Sequence, residues 1–145
     1  IVFVIEGVLR SACEADGKDV TRWFCFPDHF ATAYFSFVYR QPSEDCITAV
    51  TDTQTLSLSY AALQDLSQQD PVWIDLNRRL LEYHYTNLLD RVMSFQSQSA
   101  KERYISLLDN NPDIEEQVPL GYLASFLGIS QETLSRLRAK RKGRA

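Results

Sequence analysis

The chain has 145 residues, 45% of them hydrophobic, and a formal net charge of −4. That is enough apolar material for one or two domains with a real core, and it excludes a disordered chain. No apolar run approaches the ~20 residues of a membrane-spanning helix, and the acidic balance taken alone argues against nucleic acid.

The opening Ile1-Val-Phe-Val-Ile5 is too short for a signal-peptide core and lacks a basic leader. It starts without methionine inside what reads as a strand, so further sequence is expected upstream. Residues 1 to about 58 read as antiparallel β structure interrupted once. Ile1–Arg10 alternates around Gly7, the mark of a bulge or close approach. Asp16-Gly17, between the runs Val8–Ala15 and Val20–Phe26, predicts a hairpin turn. Pro27-Asp28 breaks the strand. The aromatic stretch Phe30–Tyr39 is expected as a short helix or loop packed on the sheet, and Cys46–Val50 and Thr55–Ser59 as a strand pair around Thr51-Asp52-Thr53. Such strands suggest a sandwich or barrel, and four or five of them leave it open along one side.

Three cysteines, Cys13, Cys25 and Cys46, share no metal-ligand spacing and are expected as buried reduced thiols in a cytoplasmic protein. The two histidines, His29 and His84, fall in no metal or triad pattern. No nucleophile–base pair or phosphate-cradling glycine loop appears, so an enzyme is not expected.

Ser59 predicts the cap of a short helix, Tyr60–Leu66, and Asp70-Pro71 the start of a longer one, free of Gly and Pro through residue 97. Ile74, Leu81, Leu88 and Phe95 fall at intervals of seven, with Tyr85 and Val92 at the complementary position: a coiled-coil seam of about three heptads. A second row, Trp73, Leu76, Leu80 and Tyr83, suits the β domain. Two apolar faces on one connector need two partners, so a homodimer is expected rather than one wide buried face. Ser97-Gln-Ser-Ala100 reads as a polar hinge, and Ser99 with Glu102 as a capping box opening a helix that carries Tyr104, Ile105, Leu107 and Leu108. Asn110-Asn-Pro112 ends it, and Ile114 and Val118 lead into Pro119.

From Pro119 to Arg138 the pattern is a helix-turn-helix. Pro119 suits a first helical turn, Leu120, Leu123, Ala124 and Leu127 recur at helical spacing, and Gly128 stands where a left-handed residue ends a helix. Ser130 caps the second helix, Glu132 complements its dipole, and Leu134 and Leu137 form its inner stripe. The outer face carries Gln131, Glu132, Ser135, Arg136 and Arg138. A plain helical hairpin would fit the apolar spacing equally. It has no need of a polar outer face followed by Arg136, Arg138, Lys140, Arg141, Lys142 and Arg144 with no acid among them. Residues 1–98 hold 7 basic and 13 acidic side chains and residues 99–145 hold 8 and 6, so positive charge collects at the end, where DNA would dock.

A β domain, a long dimer helix and a helix-turn-helix, in that order, resemble the CRP/FNR family of bacterial transcription regulators. The likeness is most specific in Lys101-Glu-Arg-Tyr-Ile-Ser-Leu-Leu108, Val118-Pro119 and Tyr122–Arg138, and looks like the branch abundant in Bacteroidetes. It implies an α+β fold: a partial antiparallel β-roll of double-stranded β-helix type, cyclic-nucleotide-binding-like, over 1–70; a dimerisation helix and hinge over 71–98; and a winged helix-turn-helix DNA-binding domain over 99–145. About the first third of the roll would be absent, and the wing short or absent. The family's Glu-x-x-Ser-Arg reading pattern falls on Glu132, Ser135 and Arg136, with Gln131 beside it. Arg136 can pair with guanine O6 and N7, Glu132 can accept from cytosine N4, and Ser135 is short enough for close approach. Ser130, Thr133, Arg138, Lys140 and Lys142 are assigned to the DNA backbone.

The resemblance departs at the effector pocket. Cyclic-AMP binders of the family carry a Gly-Glu and an Arg-Ser pair. Here Pro27-Asp28-His29-Phe30 and Ser43-Glu44-Asp45-Cys46 stand instead, with acids that repel a cyclic phosphate. No cofactor or metal is expected, and the effector is unassigned. The partners implied are a pseudo-palindromic DNA operator, a second copy of the chain and RNA polymerase, with no membrane. The rival is a ligand-binding or protein-interaction module that uses the helix-turn-helix only for docking.

Overall fold

Gly7 is the corner at which the chain changes sheets. It holds φ +87°, and a methyl there would strike the Asp52 carbonyl and the Thr53 backbone, so only glycine fits. The computed structural model describes residues 1–143, apart from the Lys142 side chain. It places β1 (Val2–Glu6), β4 (Phe30–Ala31) and β6 (Gln54–Ser57) in one antiparallel sheet, order β4-β1-β6. β2 (Leu9–Ala15), β3 (Lys18–Cys25) and β5 (Cys46–Ala49) form the other, order β3-β2-β5. Asp16 (φ 51°) and Gly17 (φ 69°) make the two-residue hairpin between β2 and β3, as their sequence implies.

Two expectations change. Ile1–Arg10 is two strands in different sheets, and the segments after Cys46 do not pair with each other. β5 pairs with β2 while β6 pairs with β1. The reason lies at the corner, where the Val50 N–H donates to the Val8 carbonyl (2.8 Å) and the Val8 N–H to Thr51 Oγ1 (2.9 Å). The two ribbons turn together, so each strand keeps the neighbour across the bend. The aromatic stretch splits into β4 and α1 (Tyr34–Tyr39), and α1 buries nothing. Phe35 stacks on Tyr39 at 4.7 Å and Phe37 meets Tyr60 at 5.3 Å, so these rings cover one another instead of the sheet. Of the three thiols, Cys25 is buried, Cys13 half-buried and Cys46 exposed on the outer strand β5. The expectation of buried cysteines holds for Cys25 alone.

α2 (Tyr60–Gln69) starts at Ser59, whose hydroxyl accepts from the Ala62 N–H. α3 (Val72–Ser97) follows Asp70-Pro71, with Asp70 Oδ1 taking the Val72 N–H at 2.9 Å. α4 (Ala100–Asn110) opens with the Ser99–Glu102 capping box. A one-turn α5 (Ile114–Gln117), which the sequence reading left as a connector, precedes α6 (Leu120–Leu127) and α7 (Gln131–Lys142). Among the described residues no helix is long and apolar enough to cross a membrane.

Two cores result. A small one lies inside the roll, on Val4, Leu9, Cys25 and Ala31. The larger joins roll and helical head: Val8 packs with Tyr104, Leu108, Ile114, Val118, Leu123, Ala124, Leu127 and Leu134, against Phe24, Phe26 and Val50. Polar contacts fix the seat. Ser125 Oγ accepts the Thr21 N–H at 2.9 Å, and the Phe24 and Phe126 rings lie 5.3 Å apart. Arg10, only 4% exposed, donates to Thr21 Oγ1 and Asp19, with its guanidinium 3.9 Å from the centre of the Tyr122 ring.

Candidate nucleic-acid interface

The geometry of the head begins at Pro119, whose carbonyl accepts from Tyr122 and Leu123 and starts α6. Gly128, in the left-handed region (φ 69°, ψ 35°), ends it, and the Ile129 N–H returns to the Ala124 carbonyl at 3.0 Å. A side chain at 128 would collide with the Phe95 ring. Two residues later Ser130 Oγ accepts the Thr133 N–H at 3.2 Å, and α7 runs out across α6. Leu134 is fully buried and Leu137 half-buried.

That burial sets which residues of α7 face solvent. Gln131, Glu132, Ser135, Arg136 and Lys140 are exposed along one side. Glu132 has its carboxyl held below the usual carboxylate range by a hydrogen bond with the Ser130 side chain and by its own backbone N–H, with Arg136 nearby. It is therefore an ionised acceptor at neutral pH. Gln131 lies over Gly121, whose missing side chain leaves room for its amide. A row of short and long hydrogen-bonding groups on a helix one turn beyond a rigid cap can present donors and acceptors to base edges.

The residues assigned to the DNA backbone divide. Ser130 and Thr133 flank the N-terminus of α7, and their hydroxyls lie 3.1 Å apart. Lys140 is exposed; the Lys142 side chain lies outside the described residues. Arg138 differs from expectation. It stands four residues after Leu134, on the inward stripe, and its Nε contacts Glu115 at 2.8 Å. Arg141, seven after Leu134, meets the other oxygen of the same carboxylate at 2.8 Å. Glu115 was not singled out from the sequence. The signal was the spacing of Arg138 and Arg141 from Leu134, with an acid two residues before a helical connector ends.

Arg91 and Arg103 were also missed. The Arg91 and Arg103 guanidiniums donate to the last carbonyls of α6, on Phe126 and Leu127, each at 3.0 Å. Burial, with repulsion from Arg103, brings Arg91 down to about 10, which leaves it charged at neutral pH. On α3, Ile74, Leu81, Tyr85, Leu88, Val92 and Phe95 are all exposed, forming an apolar row along about 31 Å of helix at 1.5 Å per residue. Phe95 turns partly away, lying against Gly128 between Arg91 and Arg103. Trp73, Leu76 and Leu80 are half-buried, and Tyr83 stacks near His29 at 5.9 Å. Between the sheets is a recess of 330 Å³ lined by Ile1, Val2, Leu9, Ala31, Thr32, Ala33, Ile47 and Thr55, with no cationic side chain among them.

No protein-family model matches the chain, and no curated protein matches it. Solved structures do. A protein of Eubacterium rectale assigned as a CRP/FNR-family transcriptional regulator superposes with TM-score 0.74 at 18% identity, over 99% of this chain and 69% of that one. FixK2 of Bradyrhizobium japonicum gives 0.79 at 16%, over 99% and 74%. The c-di-GMP-responsive global regulator CLP of Xanthomonas campestris gives 0.72 at 19%, over 98% and 76%. At these identities the likeness shows the fold, and the fold is that of the CRP/FNR regulators.

Proposed function

We propose that the chain is a sequence-specific DNA-binding transcription regulator that works as a homodimer. The observation that carries this reading is the outward face of α7. Gln131, Glu132, Ser135 and Arg136 are exposed together on a helix whose opposite side is locked by a fully buried Leu134. In the groove Arg136 makes the paired contact with a guanine, Glu132 accepts from a cytosine, and Gln131 and Ser135 complete the read. Ser130, Thr133 and Lys140 meet phosphates and set the register. Two heads joined along the α3 row, about 34 Å apart, span successive major grooves of a pseudo-palindrome, and RNA polymerase is the expected downstream partner. The roll would report an effector.

Fluorescence anisotropy with labelled duplexes tests the reading. Wild-type binding should weaken with salt and prefer a palindromic site over its scramble. Arg136→Ala should cost about 1–3 kcal/mol and relax one base position, while Lys140→Ala should weaken all sequences alike and flatten the salt slope by about 1. Equal losses on every duplex for both variants would remove the base-reading assignment. Absence of any salt-dependent DNA affinity would favour a protein-docking role for the head.

A further inference from the structure

We propose that Glu115 is a positioning residue that holds Arg138 and Arg141 out of the phosphate-contacting set of α7, so that base reading carries a larger share of DNA recognition. The inference rests on the DNA-binding reading above.

Glu115 is fixed before α7 reaches it. It sits in the single turn α5 between Ile114 and Val118, which are 1% and 3% exposed and anchor that turn in the core of the head. Its side chain is 11% exposed and accepts from three directions. Tyr104 OH donates to Oε1 at 2.5 Å, the Arg138 Nε reaches Oε1 at 2.8 Å, and the Arg141 terminal nitrogen reaches Oε2 at 2.8 Å. Both oxygens are occupied, and Tyr104, itself buried, brings its hydroxyl to this carboxylate from α4. Burial, then the bond to Glu115, pushes that phenol up to about 12, so it remains a donor throughout the neutral range.

Helical geometry supplies the second half. At 100° per residue Arg138 points about 200° away from Arg136, whereas Lys140 lies within about 40° of it. Arg138 and Arg141 therefore share the side of Leu134. Of the four cations of α7 whose side chains are described, Arg136 and Lys140 face outward, while Arg138 and Arg141 share one carboxylate that holds both and offsets one of their two charges. A guanidinium that stays on Glu115 releases no counterion from DNA. Each one set free and brought to a phosphate steepens the salt dependence by about 0.9. Such added contacts strengthen binding to every sequence alike, so base reading then supplies a smaller share of the total affinity.

The test uses the full chain, palindromic and scrambled duplexes, and sodium chloride from 50 to 200 mM. Glu115→Gln keeps an acceptor for Tyr104 and removes the charge. It should steepen the slope of log K against log salt by about 0.9 to 1.8, so that the affinity lost across that range grows about 3- to 12-fold, and it should strengthen binding to both duplexes alike at low salt. Arg141→Ala should leave the slope where it is, because Arg141 is not on a phosphate. An unchanged slope in Glu115→Gln, or a slope flattened by about 1 in Arg141→Ala, overturns the inference while leaving the DNA-binding reading intact. If Glu115→Gln fails to fold, judged by circular dichroism, Arg141→Ala on the half-exposed end of the helix decides alone. Wild-type chain with no salt-dependent binding at all overturns both.

Discussion

If the head is seated on the roll through Arg10, the contact is measurable as a coupling energy. Arg10→Leu and Tyr122→Leu, alone and together, form the cycle. Three terms contribute. The guanidinium lies 3.9 Å from the Tyr122 ring centre with only 4% of Arg10 exposed, a desolvated cation–π contact worth about 2 kcal/mol. Its bond to Thr21 Oγ1, at 2.8 Å and buried, adds about 1 kcal/mol. The ion pair with Asp19 is discounted, because the Asp19 side chain is 60% exposed and solvent screening leaves about 0–1 kcal/mol. Arg10→Leu recovers some apolar burial in return, so the expected loss is about 2–3 kcal/mol, or roughly 5–10 °C in Tm for a chain of this size. The part shared with Tyr122 should appear as a coupling of about 1–2 kcal/mol in urea titrations followed by circular dichroism. Coupling below about 0.3 kcal/mol would show that Arg10 stabilises the β2–β3 hairpin on its own account and that the head rests on its apolar core alone.

Two further outcomes bear on α3. Leu81→Lys with Leu88→Lys, both on the exposed row, should convert a sedimenting dimer into a monomer with unchanged helix content; a wild-type chain that sediments as a monomer at micromolar concentration would remove the seam. His84 is held below its ordinary value by burial first and by nearby His29 second, so the folded chain prefers the neutral ring. As pH falls below 6.5 the unfolded chain takes up that proton before the folded one does, and stability is lost on the acid side. Wild-type Tm should therefore drop more steeply from pH 7.5 to 5.5 than that of His84→Gln, and parallel curves would refute the assignment.

What the sequence made legible follows the range of each signal. Caps are local, and Ser59, Ser99 with Glu102, Gly128 and Ser130 all act where their neighbours placed them. The Asp16-Gly17 turn is equally local. Strand partnership is not. Nothing between Cys46 and Ser57 states that the chain bends at Val50 and Thr51 to follow a corner made by Gly7, more than forty residues earlier. The outer face of α7 was readable because Leu134 and Leu137 fix its phase. The same phase applied forward to 138 and 141 turns two arginines inward, a step that charge alone conceals. Arg10 and Ser125 carried no sequence signal, since their partners lie on other elements and are polar.

Residues 97–100, expected as a polar hinge, are spanned by contacts. The Gln98 N–H closes onto the Ser94 carbonyl at 3.0 Å, and the Arg103 guanidinium ties the Gln98 carbonyl to that of Leu127. Arg91 reaches the Phe126 carbonyl from α3, and Phe95 fills the space over Gly128. Two cations thus sit on the unpaired carbonyls at the C-terminal end of α6, where the helix dipole favours them. The last turns of α3 are in this way built into the head. Bending at the polar segment would strip carbonyl partners from the half-buried Arg91 and Arg103 guanidiniums, and shifting the head on the roll would break the Thr21–Ser125 bond, the desolvated Arg10–Tyr122 contact and the shared apolar core. The orientation of α7 is accordingly set by both the end of α3 and the roll-to-head seat.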